Sequence, residues 1–139
     1  MAALFALRPC LSSLEREQAF DVRRSVLCGE LHLGREAAHD ADDASAQLVL
    51  AYAGEKPVGT GRLLSRGDQW LLEHLAVLPP YRRKGLGRLL VGYFEAAARD
   101  SGAADLVAVA PRSASAFFIA VGYGVEKEES DVTLLRRQL

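Results

Sequence analysis

The pattern of apolar and polar residues divides the chain into short strands separated by helices. Apolar runs bounded by glycine, proline and acidic turn residues predict the strands. These strands cover residues 4–9, 47–54, 56–65, 69–77 and 105–110, followed by two shorter strands within residues 122–129 and 131–138. The segment from Gly54 to Pro57 joins the second and third strands and indicates a hairpin.

Helical segments alternate with these strands. Ser12 followed by Glu15 has the spacing of a capping box and predicts a helix that continues to about Cys28. Further helical segments are predicted at residues 30–38 and after Pro111. Between the fourth and fifth strands, an apolar stripe predicts a helix that is buried on the face formed by Leu86, Leu89, Leu90, Tyr93, Phe94 and Ala97. Because no internal repeat or linker interrupts the pattern, we expect one α/β (α+β) domain over residues 1–139.

Composition and charge limit the classes of function. The chain has 139 residues, 50% hydrophobic and 25% charged, as is typical of a globular domain. Its net charge of -1 argues against nucleic acid as a partner. The opening "MAALFALRPC" has no basic region before its apolar residues, so it is not expected to be a signal peptide. No apolar run is long enough for a membrane span. With Cys10 and Cys28 expected as free thiols, the sequence favours a cytoplasmic protein without a membrane partner.

The segment "LAVLPPYRRKGLGRLL" has features of an anion-binding loop before a helix. Gly85 and Gly87 carry no side chains where the free backbone N–H groups of the first helical turn emerge. The helix dipole favours an anion there by about 0.3–1 kcal/mol, and three consecutive basic residues add positive charge. The spacing fits neither the nucleotide P-loop nor the dinucleotide fingerprint. The alternative is an ordinary helix start with solvated basic side chains.

The same segment resembles motif A of the GNAT superfamily of acetyl-coenzyme A dependent N-acetyltransferases, with Arg82, Gly85 and Gly87 at its signature positions. Downstream, "SASAFFIAVGYGVE" is similar to motif B of that family, which ends in a glycine and an aromatic residue, here Gly122 and Tyr123. The resemblance implies a GNAT acyl-CoA N-acyltransferase fold. In that fold, a mixed, mostly antiparallel sheet of about six to seven strands is flanked by about four helices.

The resemblance also implies how acetyl-CoA is bound as cosubstrate. Backbone N–H groups at residues 83–88 would hold the pyrophosphate, and the strand at residues 75–77 would pair with the pantetheine arm and polarise the thioester carbonyl. No metal is required. The implied coenzyme-binding residues are Leu75, Ala76, Val77, Arg82, Arg83, Lys84, Gly85, Leu86, Gly87, Arg88 and Phe118.

Acetyl transfer to an amine requires a base, because an alkyl amine with a pKa near ~10.4 is protonated at neutral pH. Glu73 is the candidate. Strand alternation places it on one face with Leu71, Leu75 and Val77, where burial would raise its pKa. The alternative is that Glu73 turns to solvent or pairs with an arginine. The same alternation places His74 on the opposite face, as an imidazole at the edge of the core.

The general acid is where the sequence departs from the family. Many members have a tyrosine in motif B that protonates the departing thiolate, and the matching position here is Phe118. Tyr123 is the nearest candidate acid. Two hypotheses therefore stay open: an N-acetyltransferase acting on a primary amine of a small molecule, an amino sugar or a protein, and a non-catalytic acyl-CoA binding module.

The acceptor side is less specified by the sequence. The loop containing Asp40, Asp42 and Asp43 is expected to be solvated near the acceptor. Arg62 is expected in an ion pair, with recognition of an acidic substrate as the alternative. The resemblance places Glu30 and Glu36 on helices that commonly line the acceptor site. A monomer and a homodimer both remain open.

Overall fold

The computed structural model describes residues 4–139. Met1 to Ala3, the first residues of the opening segment that is not expected to be a signal peptide, lie outside the described residues. The described chain forms one seven-stranded sheet, and every predicted strand is present. The strands are β1 (Ala6–Pro9), β2 (Gln47–Ala53), β3 (Lys56–Arg66), β4 (Gln69–Val77), β5 (Asp105–Pro111), β6 (Gly124–Glu128) and β7 (Val132–Gln138). The α-helices of the same residues are α1 (Ser13–Arg23), α2 (Leu86–Asp100) and α3 (Ser115–Ala120).

The strand order is β1-β2-β3-β4-β5-β7-β6. Only β4 and β5 pair in parallel in the described sheet, because α2 carries the chain back between them. All other neighbouring strands pair antiparallel. The predicted fold class, a mixed and mostly antiparallel sheet with flanking helices, is therefore confirmed. No helix within residues 4–139 has the length and apolar character needed to cross a lipid bilayer.

The first helix begins as the capping box predicts. Glu15 Oε1 accepts a hydrogen bond from the Ser12 backbone N–H at 3.0 Å, and Ser12 Oγ accepts one from the Glu15 N–H at 3.1 Å. Directly after α1, the chain continues as a π-helix (Arg24–Glu30). The predicted helix at residues 30–38 is wrong, since only a 3-10 turn (Arg35–Ala37) forms there. His32 has a φ of 56° and Gly34 is extended, and neither conformation continues a helix.

Helix α2 covers one face of the sheet and supplies much of the main core. Its buried face follows the row Leu86, Leu90, Phe94 and Ala98, together with Val91. The predicted stripe is therefore partly wrong: Leu89 keeps 51% of its surface exposed. The buried row recurs every fourth residue, so the contact face is rotated away from Leu89.

Two glycines in β3 allow α2 to approach the sheet closely. A Cβ atom on Gly61 would lie 2.6 Å from the Phe94 ring, and one on Gly59 would lie 3.1 Å from a Leu86 methyl group. Phe94 is fully buried and occupies the space that a side chain on Gly61 would need. The strand therefore uses glycine here for space.

A bulge in β4 lies opposite Gly61. Thr60 pairs with Ala76 and Arg62 pairs with Glu73, so two β4 residues, His74 and Leu75, face Gly61 alone. His74 has a φ of 55°, in the left-handed region. The bulge reverses the alternation of the strand after Glu73, and the predicted common face of Leu71, Glu73, Leu75 and Val77 is therefore wrong. Leu75 and Val77 pack against the main core under α2, whereas Leu71 belongs to a separate cluster.

We expect Gly61→Ala to lower the free energy of unfolding by about 1–3 kcal/mol, because the new methyl group overpacks the space held by the Phe94 ring. Gly92→Ala is the matched control. Gly92 lies in α2 with open space at its Cβ position, so alanine there should raise stability by about 0.5–1 kcal/mol. Urea unfolding of both variants measures the difference. Equal effects of the two substitutions would contradict the close approach of α2.

Candidate active site

A pocket opens where β4 and β5 stop pairing. Their parallel register ends at Glu73 and Val109, although both strands continue. Beyond that point, a pocket of about 400 Å³ lies between Glu73, His74 and Leu75 of β4 and the end of β5. Its other walls come from the π-helix and the segment after it, from α3, and from the turn between β6 and β7.

The start of α2 is open toward solvent. Gly85, the N-cap residue, has a φ of 85°, and no described side chain caps the helix there. A Cβ atom on Gly85 would meet nothing within 4 Å. Gly87 has a different role: a Cβ atom there would lie 3.1 Å from the ring of Phe117, which lines the pocket. Phe117 therefore joins the first turn of α2 to the pocket wall.

Arg82 is engaged within the protein. Its Nε donates to the Val77 carbonyl oxygen at 2.9 Å, and its two Nη atoms donate to the Glu30 carboxylate at 2.6 and 2.5 Å. The hydrogen bonds from Arg82 lower the pKa of Glu30. Arg82 thus ties the end of β4 to the π-helix, and Glu30 does not line the pocket. Arg83 and Lys84 are exposed and enter no ion pair with the described residues.

The other predicted coenzyme residues differ in what they offer to a ligand. Leu75 and Phe118 line the pocket directly. Leu86 and Ala76 have buried side chains in the core, so only their backbone groups are available to a ligand. Arg88 is exposed on the first turn of α2.

A buried polar network lies behind the pocket. Arg62, 1% exposed, donates from Nη2 to Glu73 Oε1 at 2.9 Å and from Nη1 to Asp40 Oδ1 at 2.5 Å. Asp43 Oδ1 accepts from both Arg62 and the fully buried Arg23, at 3.1 and 2.6 Å. Burial by itself would raise the pKa of Asp43, but the hydrogen bonds from Arg23 and other donors outweigh it and lower the pKa to about 2.

The prediction of a solvated acidic loop is therefore wrong for Asp43, which is fully buried, and for Asp40, which is largely buried. Their carboxylates neutralise Arg23 and Arg62, whose positive charges would otherwise be buried without a partner. The predicted ion pair of Arg62 is present. Arg23 is a site-supporting residue that sequence reasoning missed, because its partners lie 14 and 20 residues away along the chain.

Glu73 both pairs with an arginine and lines the pocket. Its side chain is 16% exposed, and Arg62 occupies only Oε1. Oε2 accepts no hydrogen bond from residues 4–139, so it is available to a ligand.

His74 lines the same pocket as Glu73, so the prediction that it lies on the opposite face is wrong. The bulge turns its imidazole toward Asp40, with Nε2 3.6 Å from Asp40 Oδ2. Burial, together with the nearby charges of Arg23 and Arg62, lowers the pKa of His74 to about 4. The imidazole is therefore neutral at pH 7.

Tyr123 lies away from the pocket. Its hydroxyl donates to Glu95 Oε2 at 2.8 Å inside the main core, and its ring packs edge to face on Phe118 at 5.5 Å. Burial and the hydrogen bond to Glu95 raise the pKa of Tyr123 well above its usual range. Tyr123 is not among the described residues that line the pocket, so it is left out of the proposed chemistry. Within residues 4–139, no group of three or more His, Cys, Asp or Glu side chains is arranged to hold a metal ion.

The shifted histidine predicts a pH-dependent stability. Between about pH 6.5 and pH 4, the unfolded chain binds a proton at His74 and the folded chain does not, so stability falls as the pH falls. His74→Asn removes this titration, and asparagine tolerates the left-handed backbone. The original protein should therefore lose up to about 3 kcal/mol more than the variant across this window.

Urea unfolding at intervals from pH 7 to pH 4 measures the loss. His32→Asn is the matched control, because His32 is exposed and also has a positive φ. The control should follow the original protein. Parallel pH curves for the original protein and His74→Asn would refute the buried neutral imidazole.

Comparison with known proteins places this geometry in a family. A sequence profile of the Acetyltransferase (GNAT) family matches residues 11–123. The Bacillus subtilis protein named Uncharacterized N-acetyltransferase YjcF is 33% identical over 125 residues, covering 88% of this chain and 89% of that protein. The fold is similar to that of Escherichia coli ElaA, with a TM-score of 0.81 at 16% identity, covering 97% and 100% of the two chains. It is also similar to that of the PaiA N-acetyltransferase of Thermoplasma acidophilum, crystallised in complex with coenzyme A, with a TM-score of 0.79 at 16% identity and coverage of 98% and 99%. The chain belongs to the GNAT family of acetyltransferases.

Proposed function

We propose that the protein is an N-acetyltransferase that transfers the acetyl group of acetyl-CoA to a primary amine within a ternary complex. One observation carries the proposal: an uncapped helix start flanked by unpaired basic residues adjoins a pocket between diverging strands. Phe117 contacts both features. Membership of the GNAT family and the coenzyme A bound to the PaiA relative support it.

The coenzyme would bind along β4 and the start of α2. Backbone N–H groups at residues 83–88 would receive the pyrophosphate, with Arg83, Lys84 and Arg88 adding charge. Since β4 no longer pairs with β5 after Glu73, the backbone of Leu75, Ala76 and Val77 faces the opening, where the pantetheine arm would form hydrogen bonds. The bound thioester supplies an electrophilic acyl carbon. A backbone N–H of this strand would polarise its carbonyl.

Glu73 would remove the proton from the incoming ammonium. Glu73 lines the pocket and its Oε2 is free, while Arg62 fixes Oε1. That proton passes to Glu73 directly or through water, and the neutral amine nitrogen then forms a bond to the acyl carbon as the carbon–sulfur bond breaks. The thiolate leaves with the electron pair and takes up, through water, the second proton that the nitrogen releases as the amide forms. His74, with a pKa of about 4, is a poor proton acceptor.

A non-catalytic acyl-CoA binding module is the second candidate function. Phe118 lies at the pocket wall without a hydroxyl group, and the hydroxyl of Tyr123 is engaged by Glu95. Measurement of thiol release across a panel of amines distinguishes the two functions. Coenzyme binding with no release for any amine would favour the binding module.

We expect Gly85→Glu to abolish binding of coenzyme A, because the new carboxylate would project into the open space at the start of α2 and repel the pyrophosphate. Gly67→Glu is the matched control. Gly67 also has a positive φ and open space at its Cβ position, but it lies in the turn between β3 and β4. The two variants therefore carry similar backbone strain.

Titration calorimetry with coenzyme A measures the affinity of both variants. The control should keep the original affinity despite a small loss of stability. Unchanged affinity in Gly85→Glu would remove the start of α2 from the coenzyme site.

We expect Glu73→Gln to lower kcat by about 100-fold or more at pH 7 while leaving the affinity for coenzyme A unchanged. The glutamine can still accept the hydrogen bond from Arg62, so the network behind the pocket stays paired. The difference in kcat between the variant and the original protein should become smaller as the pH approaches the pKa of the amine, because the deprotonated amine needs no base. Glu55→Gln, on an exposed turn, is the control. An unchanged pH–rate profile would exclude Glu73 as the base.

A further inference from the structure

The pocket walls carry negative charge and no positive charge among the described residues. Four carboxylates line the pocket: Glu36, Asp40, Glu73 and Asp131. No lysine or arginine lines it, and His74 is neutral at pH 7. Arg35 and Arg112 lie in neighbouring turns without lining the pocket.

The four carboxylates differ in burial and form two pairs. Asp40 and Glu73 lie deep, largely buried, and share the charge of Arg62. Glu36 and Asp131 are exposed and form the rim, Glu36 in the segment after the π-helix and Asp131 in the turn between β6 and β7. Within residues 4–139, neither rim carboxylate enters an ion pair, so both can bind a cation from solution.

The remaining pocket walls are mainly apolar. Leu27 and Leu33 lie on the side of the π-helix, and Val109 and Val132 lie on the side of the sheet. Such walls suit a chain of methylene groups better than a ring of hydroxyl groups, whose hydrogen bonds would find few partners here.

We propose that the acceptor is a linear aliphatic amine with at least two positive charges, which places its reacting nitrogen beside Glu73 and its distal ammonium between Glu36 and Asp131. This substrate class rests on the proposed acetyl transfer and refines it. The rim carboxylates attract the distal charge, and the apolar walls contact the methylene chain that joins the two nitrogens. Amines that carry a carboxylate or phosphate are disfavoured, because they would face the two unpaired rim carboxylates and find no lysine or arginine in the pocket lining.

The test compares acceptors of one chain length that differ only at the distal end. An α,ω-diaminoalkane of five methylene groups is compared with the alkylamine and the amino alcohol of equal length, using thiol release from acetyl-CoA. We expect kcat/KM for the diamine to exceed that of both others by about ten-fold at low ionic strength, and the preference to fall as salt is added.

Two conservative variants test the residues themselves. Glu36→Gln and Asp131→Asn should each lower kcat/KM for the diamine by about two- to five-fold, mainly through KM, and leave the alkylamine unchanged. Glu55→Gln, an exposed carboxylate outside the pocket, should change neither substrate. Equal use of diamine and alkylamine, or a diamine preference that is undiminished in both rim variants, would overturn the proposal.

A separate binding measurement distinguishes failure of this inference from failure of the proposed function. Calorimetry of the protein saturated with coenzyme A measures diamine and alkylamine affinity without any turnover. If no amine releases thiol, the proposed transfer fails, while tighter binding of the diamine that is weakened in Glu36→Gln still supports the cation site. Equal affinity for the two amines would refute the cation site whatever the activity.

Discussion

The bulge in β4 is the constraint on which the site depends. By placing His74 and Leu75 opposite Gly61 alone, it shifts the alternation of the strand by one residue. Glu73 and His74 consequently reach the same pocket, while Leu75 packs against the core under α2. The parallel pairing with β5 ends at the residue just before the bulge, which leaves the following backbone facing the opening. One irregular position thus links the core, the pocket and the exposed strand edge.

A second constraint is the burial of two arginines on the sheet face opposite α2. Isolated buried charges are costly, so Arg23 and Arg62 require carboxylates held in fixed positions. Asp43 and Asp40 supply these carboxylates, and the acidic segment therefore packs against the sheet. The same contacts orient Glu73 through Arg62. Positive charge then remains exposed at the start of α2, and negative charge remains at the acceptor rim, so the two ends of the site differ in sign.

Much of the fold follows from local patterns. The seven strands were predictable because alternation and turn residues act over short segments. The capping box of Ser12 and Glu15 was also predictable from spacing alone. The buried face of α2 was predicted to include Leu89, whereas the structure buries Ala98 and exposes Leu89. Which of these two residues is buried depends on how the helix packs against β3. The helix predicted after residue 30 failed because a π-helical turn and the left-handed His32 redirect the chain.

The sequence by itself determined the order of strands and helices, the glycines at the start of α2 and the resemblance to one family, because each depends on residues close together in the chain. Only the tertiary structure decided that His74 joins Glu73, that Tyr123 pairs with Glu95, and that Asp131 faces the pocket. These outcomes depend on strand register and on charge pairs between distant segments. A one-residue bulge changes the register without leaving a periodic signal in the sequence.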